Sequence, residues 1–351
     1  MNEKVQVRRS MAASAVLMAA LFLLPVILVE PYPVVSAAQP KPPETKPTVI
    51  TAPVQTVPEA VPMQEETRLR VLQNGQVIEM ALEDYLVGVV RAEMPASFEP
   101  EALKAQAVAA RTYTLYKMTT GGNHGPEADI CTDSTCCQAY LDAASAAANW
   151  GERAEAYEEK VAQAVADTAG QAVLYGGQPI LAVFHAASAG LTRKAGEVWS
   201  SDLPYLQAVP SAETGAEIPN YYSRAEFSTA AFREKVLAAY GGADFSGSPQ
   251  EWITGAVTDS AGNVKTVNVG GVTVRGSTLR ALLGLRSACF TWEVQGDSLV
   301  FFVTGYGHGV GLSQHGANQM AKNGAGWQEV LLHYYTDVSI GPYRFTNDLR
   351  A

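Results

Sequence analysis

The chain has 351 residues, of which 47% are hydrophobic and 17% are charged, and its formal net charge is −10. This composition excludes a disordered acidic protein and a highly charged solenoid. The negative charge argues against nucleic acid as the main partner, because phosphate binding normally needs a basic face. An anionic polymer would therefore have to be held by specific contacts.

The N-terminal segment predicts a membrane anchor. Residues 12–29 carry no charge and approach the roughly 20 apolar residues that span a bilayer. Lys4, Arg8 and Arg9 precede this run, so residues 1–30 are predicted to form a cytoplasmic tip and a single transmembrane helix, with the rest extracytoplasmic. A signal peptide cleaved after the small residues 35–37 is the alternative. Both interpretations predict that the rest of the protein lies outside the cytoplasm.

Residues 31–66 predict an extended linker, because they carry nine of the 19 prolines and few large hydrophobic residues. A folded domain is predicted over residues 67–347. Its segments indicate an α+β fold in which helices are mixed with a β-rich part.

The first predicted elements of this domain are a hairpin and a helix. Residues 68–80 alternate and contain Asn74-Gly75, a turn signal. Apolar residues then recur at spacings of three and four, at Leu82, Tyr85, Leu86, Val89 and Val90. Glu93 continues this series, and Pro95 predicts that the helix ends at Met94. Burial on the apolar side would raise the pKa of Glu93 and favour the protonated form that a general acid needs. The alternative is an exposed or ion-paired glutamate at a helix end.

Glu99-Pro100 opens a second predicted helix that is rich in alanine. Lys104 and Arg111 are seven residues apart, so both lie on one side of it. Beside a buried acid, two such cations could bind an anionic or sugar substrate. A solvated cationic stripe is the other interpretation.

One histidine and three cysteines follow within fourteen residues: His124, Cys131, Cys136 and Cys137. These residue types could complete a tetrahedral zinc site, although the spacing is not that of a standard zinc finger. In an exported protein a disulfide from Cys131 to Cys136 or Cys137 competes with the metal site. Cys289 has apolar neighbours and is predicted to be a buried small side chain.

The remaining segments predict a helix over residues 141–170, a hairpin around Gly176-Gly177 and β-strands from 257 to 302. Residues 304–324 (TGYGHGVGLSQHGANQMAKNG) combine tight glycine turns around His308 with a helix from about Ser313 to Asn323. His315 on that helix is most simply a packing residue.

Several stretches together resemble the stage II sporulation protein D family of peptidoglycan lytic transglycosylases, to which the amidase-enhancer proteins are related. They are residues 89–115 (VVRAEMPASFEPEALKAQAVAARTYTL), 183–190 (VFHAASAG), 198–209 (VWSSDLPYLQAV), 280–290 (RALLGLRSACF) and 305–324. The resemblance implies that Glu93 is the catalytic acid and that Lys104, Arg111 and Tyr205 lie in the substrate groove. The predicted substrate-binding residues are therefore Lys104, Arg111, Tyr205 and His308.

The resemblance also implies a structural zinc ion. Some members bind zinc through a His-x-Cys-x-His-Cys arrangement, and His124, Cys131 and Cys137 match it in type, whereas Cys136 stands where that pattern has histidine. It further implies glycan strands without stem peptides as substrate, engulfment during sporulation, and a membrane complex with a wall amidase and another sporulation membrane protein.

A lytic mechanism needs one carboxyl, whereas ordinary glycosidases use two. Glu93 stands out as that one, while Glu197 and Asp202 are candidates for a second. The sequence therefore predicts a lytic transglycosylase with Glu93 as acid and base. The alternatives are a muramidase and a non-catalytic wall-binding or amidase-enhancing module.

Overall fold

The computed structural model describes residues 66–122, 124–199, 201–213, 215, 217–346 and 349. The predicted membrane anchor, and all of the predicted linker except Glu66, lie outside these residues. Within the described part, no helix has the length and apolar character that crossing a membrane requires.

The described chain begins with the predicted hairpin. Strand β1 (Arg68–Gln73) pairs antiparallel with β2 (Gln76–Ala81). Asn74 and Gly75 between them have φ values of 51° and 77°, the left-handed geometry of a two-residue hairpin turn. The short strand β3 (Ile130–Cys131) adds to β1 in parallel.

Helix α1 (Leu82–Glu93) and helix α2 (Pro100–Thr120) follow. The predicted end of α1 is confirmed, because Met94 has extended backbone geometry and Pro95 follows it. The predicted start of α2 is confirmed as well, since Pro100 occupies its first turn, where a missing amide hydrogen costs little.

The single helix predicted over residues 141–170 is two helices in the structure. Helix α3 (Ala143–Trp150) ends at Gly151, which has a φ of 58°, and a short 3₁₀ turn leads into α4 (Ala154–Ala166). A left-handed residue cannot continue an α-helix, so the chain turns there. Alanines are frequent on both sides of Gly151, so the sequence was predicted to form one continuous helix.

Helix α2 is the centre of the larger hydrophobic core. It packs against α1, α4 and the strand β4 (Gln171–Tyr175), as well as the C-terminal helices α8 (Gln314–Lys322) and α9 (Trp327–Tyr334). Most of its residues are buried, on all sides. A helix that is enclosed in this way has no solvated face.

Two small sheets join the chain's middle to its C-terminal part. Strand β4 pairs antiparallel with β5 (Gln178–Pro179), as predicted, and with β14 (Ser339–Pro342). Strand β6 (Phe184–His185) pairs in parallel with β13 (Leu312–Ser313), which brings the glycine-rich stretch beside residues 184–185. A four-residue helix, α5 (Ala195–Val198), lies between β6 and the next strand.

The β-rich part predicted over residues 257–302 belongs to a second hydrophobic core, which also takes in elements from residue 222 onward. It contains two three-stranded antiparallel sheets and two helices. The first sheet has the order β10 (Val272–Arg275), β9 (Val264–Val269), β8 (Ile253–Thr258), and the second has the order β11 (Phe290–Gln295), β12 (Ser298–Thr304), β7 (Tyr222–Ser228). Helices α6 (Thr229–Ala239) and α7 (Gly276–Leu283) complete it. The α+β class of the domain is confirmed.

Candidate active site and metal centre

A cleft of about 760 Å³ opens beside the C-terminal end of α1. Its walls come from distant parts of the chain: the end of α1 with the residues that follow it, Glu213, residues 217–219, Arg286, Tyr306 and one side of α8. Pro95 ends α1 at this wall, and Ser313 caps α8 by accepting a hydrogen bond from the Gly316 amide. The two helix ends therefore define the cleft.

Glu93 lies in this cleft, half-buried, on the apolar side that the periodicity of α1 predicted. Its Oε1 accepts a hydrogen bond of 2.7 Å from the Ala139 amide, and the Gln314 side chain also donates to the carboxyl group. Burial raises the pKa of Glu93 above its ordinary value, and these two hydrogen bonds oppose the shift only in part. Glu93 has no ion-pair partner among the described residues, so the ion-paired alternative is wrong within that part of the chain.

Gln314 links Glu93 to the central helix. Its side chain is buried, and its Nε2 donates to Oε1 of Gln106 on α2 over 3.4 Å. On another side, α8 lies close to Tyr334 and Glu213 because Gly316 has no side chain. A Cβ at Gly316 would lie 2.1 Å from the Tyr334 hydroxyl and 2.6 Å from Oε2 of Glu213.

A second buried carboxyl, Glu213, also lines the cleft. Its Oε1 accepts hydrogen bonds from the Ser188 amide at 2.6 Å and from the Ser313 hydroxyl at 2.7 Å. Its Oε2 is buried without a hydrogen-bond partner among the described residues. No pattern in the surrounding sequence singled out Glu213, because its partners lie 25 and 100 residues away.

The carboxyls that the sequence suggested as a second acid lie elsewhere. Glu197 is on α5, with Oε1 4.0 Å from Nζ of Lys265, and Asp202 is exposed. Neither lines the cleft that contains Glu93. The buried carboxyl that shares the cleft with Glu93 is that of Glu213.

The structure does not place Lys104 or Arg111 in this cleft. Lys104 forms ion pairs with Glu101 and Asp167 at 3.0 Å and lines a separate, smaller cavity. Arg111 is fully buried: its guanidinium pairs with Glu83 and donates to the Val165 carbonyl. The two side chains do share a side of α2, but that side faces other parts of the protein, because α2 is enclosed.

We expect Arg111 to act on stability and not on substrate. Arg111→Met should lower the free energy of unfolding by about 2 kcal/mol, because it removes the buried partner of the ion pair with Glu83 and one of the donors to the Val165 carbonyl. Denaturant unfolding measures this loss. Arg233→Met, at an exposed arginine of α6, is the matched control. Weakened glycan binding with unchanged stability would contradict the structural role.

Tyr205 is also outside the cleft. It is buried, its hydroxyl accepts a hydrogen bond of 3.2 Å from the Leu181 amide, and its ring contacts Tyr175. It therefore packs against the end of β4 and the segment that follows β5, and it does not line the cleft that contains Glu93.

His308, within the glycine-rich stretch, does not line the cleft. Its ring lies 5.6 Å from that of His185 and 5.3 Å from that of Trp199, and its Nδ1 accepts from the Val310 amide. Burial, and then the neighbouring His185, lowers the pKa of His308 to about 3, so it is neutral near pH 7. His315, predicted to be a packing residue, packs edge-on against Phe98 and also faces the cleft.

The four predicted metal ligands do come together. One ligand atom from each of His124, Cys131, Cys136 and Cys137 lies within 4.8 Å of every other. Nε2 of His124 is 3.4 Å from Sγ of Cys137 and 3.5 Å from Sγ of Cys136, and the two sulfurs are 3.8 Å apart. Tetrahedral zinc with ordinary bond lengths requires about 3.6 Å between nitrogen and sulfur and about 3.8 Å between sulfurs. The donor set and spacing therefore fit a zinc ion, and all three cysteines are free thiols.

The segment that follows these cysteines supports Glu93. Cys137 is two residues before Ala139, whose amide donates to Glu93. Tyr140 packs so closely on α1 that a Cβ at Gly88 would lie 2.1 Å from its ring, and the Leu141 amide donates to the Gly88 carbonyl. The cysteine cluster is thus joined directly to the wall that holds Glu93.

Comparison with known proteins gives consistent similarities. The family model described as Stage II sporulation protein matches residues 73–175. Stage II sporulation protein D of Bacillus subtilis is 35% identical over 93% of this chain and 94% of its own length, and that of Bacillus amyloliquefaciens is 36% identical over 76% of each. The amidase enhancer of Bacillus subtilis is 28% identical over 74% of this chain but only 40% of its own length.

Proposed function

Because this chain belongs to the stage II sporulation protein D family, we propose that it is a lytic transglycosylase of the bacterial cell wall. It cleaves the bond between N-acetylmuramic acid and N-acetylglucosamine in glycan strands without stem peptides. It acts in septal wall remodelling and engulfment during sporulation. The observation that carries the proposal is one carboxyl with a raised pKa in a cleft large enough for a sugar chain, at Glu93.

In the proposed mechanism, Glu93 acts first as acid and then as base. Its neutral carboxyl donates a proton to the glycosidic oxygen, and the N-acetylglucosamine leaves as an alcohol. The resulting carboxylate takes the proton from the C6 hydroxyl of the muramic acid, and O6 bonds to C1. Glu93 ends the cycle protonated, no water is consumed, and the product carries a 1,6-anhydro end. Ala139 and Gln314 hold the carboxyl in place and stabilise its charged state between the two steps.

We expect the pH dependence of the reaction rate to reflect the raised pKa of Glu93. The cycle begins from protonated Glu93, so the rate should fall as the pH rises through its raised pKa. Gln314→Met removes a donor that stabilises the carboxylate, which raises the pKa of Glu93 further. The upper limb of the pH–rate profile should therefore move to higher pH.

Initial rates on denuded glycan strands at several pH values test this shift, with Gln250→Met, at an exposed site away from the cleft, as the control. An upper limb that stays in place or moves to lower pH would contradict the role assigned to Gln314.

A specific observation favours a second candidate function, hydrolysis by a muramidase. Glu213 supplies another buried carboxyl in the same cleft, and two carboxyls are what a hydrolase uses to activate water. Mass spectrometry of digested strands separates the two reactions, because a hydrolysed end is heavier than an anhydro end by one water. We expect anhydro ends. A wall-binding or amidase-enhancing module, suggested by the name of one relative, would leave the strands uncut.

We further propose that His124, Cys131, Cys136 and Cys137 hold a structural zinc ion. With four protein ligands, no coordination position is open to substrate, so the bound ion would contribute stability and no chemistry. Residues 1–30 are proposed to anchor the protein in the cell membrane, with residues 67–347 extracytoplasmic. A wall amidase and another sporulation membrane protein are the proposed partners in a membrane complex.

A further inference from the structure

Arg286 is an unusual cation in the cleft. Three cationic side chains line it, and two have acidic partners: Arg91 pairs with Glu158, and Lys322 pairs with Glu217. Arg286 has no ion-pair partner in the part of the chain that the structure describes, and its Nε is buried without a hydrogen-bond acceptor there. No described residue accepts a hydrogen bond from this guanidinium, and Arg286 lines the cleft, so a ligand in the cleft could supply an acceptor to its terminal nitrogens.

The guanidinium is held in place by its surroundings. Its Cζ lies 3.8 Å from the centroid of the Tyr306 ring, a close cation–π contact at the cleft rim. The Arg286 carbonyl accepts hydrogen bonds from the Gly307 amide and from Nε of Arg280. A guanidinium held against a ring keeps its nitrogen donors free, and these form the planar fork that matches a carboxylate.

The chemistry of the glycan supplies such an acceptor. Muramic acid carries a lactyl ether on C3, whose carboxyl is an amide when the stem peptide is attached and a free carboxylate when the peptide has been removed. This carboxylate belongs to the same sugar ring as the C1 atom of the scissile bond. A cation that shares a cleft with the catalytic acid can therefore distinguish the two states of the strand.

We propose that Arg286 binds the lactyl carboxylate of the muramic acid and thereby selects strands whose stem peptides have been removed. The proposal rests on the proposed function for the identity of the substrate. It assigns Arg286 as a specificity-determining residue and Tyr306 as the residue that positions it. It also explains how a chain with a net charge of −10 holds an anionic polymer, through a local contact in place of a basic surface.

Equilibrium binding to two matched ligands tests the proposal. One is denuded glycan strands with free lactyl carboxylates, and the other is the same strands with those carboxylates converted to methylamides. Measurements use the Glu93→Gln protein, so that the strands stay intact. We expect the methylamide strands to bind at least about 10-fold more weakly, because a charge-assisted hydrogen-bond pair is lost.

Adding Arg286→Gln should weaken binding of the carboxylate strands by about the same factor and leave binding of the methylamide strands unchanged. Arg233→Gln, with the same charge change at an exposed site, should preserve the preference. Circular dichroism and the thermal midpoint check that the Arg286→Gln variant is folded. The comparison of the two ligands on the Glu93→Gln protein does not depend on this variant, because Arg286 is unchanged there.

Equal affinity of the Glu93→Gln protein for both ligands would overturn the proposal, as would a preference that survives in Arg286→Gln. The outcome is separate from that of the proposed function. If the unmodified protein releases no anhydro ends but prefers carboxylate strands through Arg286, the recognition stands and the transglycosylase activity fails.

Discussion

Glu93→Gln is expected to abolish the release of 1,6-anhydromuramic ends from denuded glycan strands, with a rate loss of at least about 100-fold. Glutamine has nearly the same shape and can still accept the Ala139 hydrogen bond, but it can neither donate an acidic proton nor take one back. Because Glu93 serves in both half-reactions, its replacement stops the cycle at the first step. Mass spectrometry of the digest, with time courses for both proteins, measures the loss.

The same variant should keep its fold, and its stability supplies an independent check. The pKa of Glu93 is raised in the folded state, so the folded protein binds more protons than the unfolded chain between the ordinary and the raised pKa. Its stability therefore falls as the pH rises through that interval. Glu93→Gln has no such proton to lose, and this part of the pH dependence should disappear.

Glu234→Gln, at an exposed glutamate of α6, is the matched control for both measurements. Anhydro ends formed at an unchanged rate by Glu93→Gln would remove Glu93 from the mechanism. Products heavier by one water from the unmodified protein would instead favour hydrolysis, with Glu213 as the second carboxyl to be replaced next.

The place of Glu93 could be predicted from the sequence because it depends on local geometry. The spacing of Val89, Val90 and Glu93 fixes one helix face, and Pro95 fixes where the helix ends. His124 and the three cysteines were similarly predictable, since they fall within fourteen residues and short loops can bring them together.

The rest of the cleft was beyond such reasoning. Gln314, Glu213 and Arg286 are more than 100 residues from Glu93 and come to the same cleft only through tertiary packing, including the parallel pairing of β6 with β13. Periodicity carries no information on such contacts. The position of Lys104 and Arg111 outside this cleft has a related cause. Seven-residue spacing places them on one side of α2, but the packing of the other helices decides what that side faces.

Loss of zinc is expected to have the second large effect. Cys131→Ser and Cys137→Ser should each purify with little or no metal, whereas the unmodified protein should hold one zinc ion per chain. Structural zinc in small domains contributes about 10–16 kcal/mol of apparent binding free energy. Even a fraction of this, several kcal/mol, would lower the thermal midpoint by about 10 °C. Elemental analysis and thermal unfolding, with and without a chelator, measure both effects.

Activity should fall together with the metal, although no ligand touches the substrate. Without the cluster, residues 131–137 lose the constraint that leads into Ala139, and Glu93 then loses a hydrogen bond that orients it. Cys289→Ser, at the cysteine outside the cluster, is the matched control and should retain both metal and activity. Equal metal in all samples would refute the site. Protein without metal and with two fewer titratable thiols would show that a disulfide, and not zinc, ties this segment to the wall that holds Glu93.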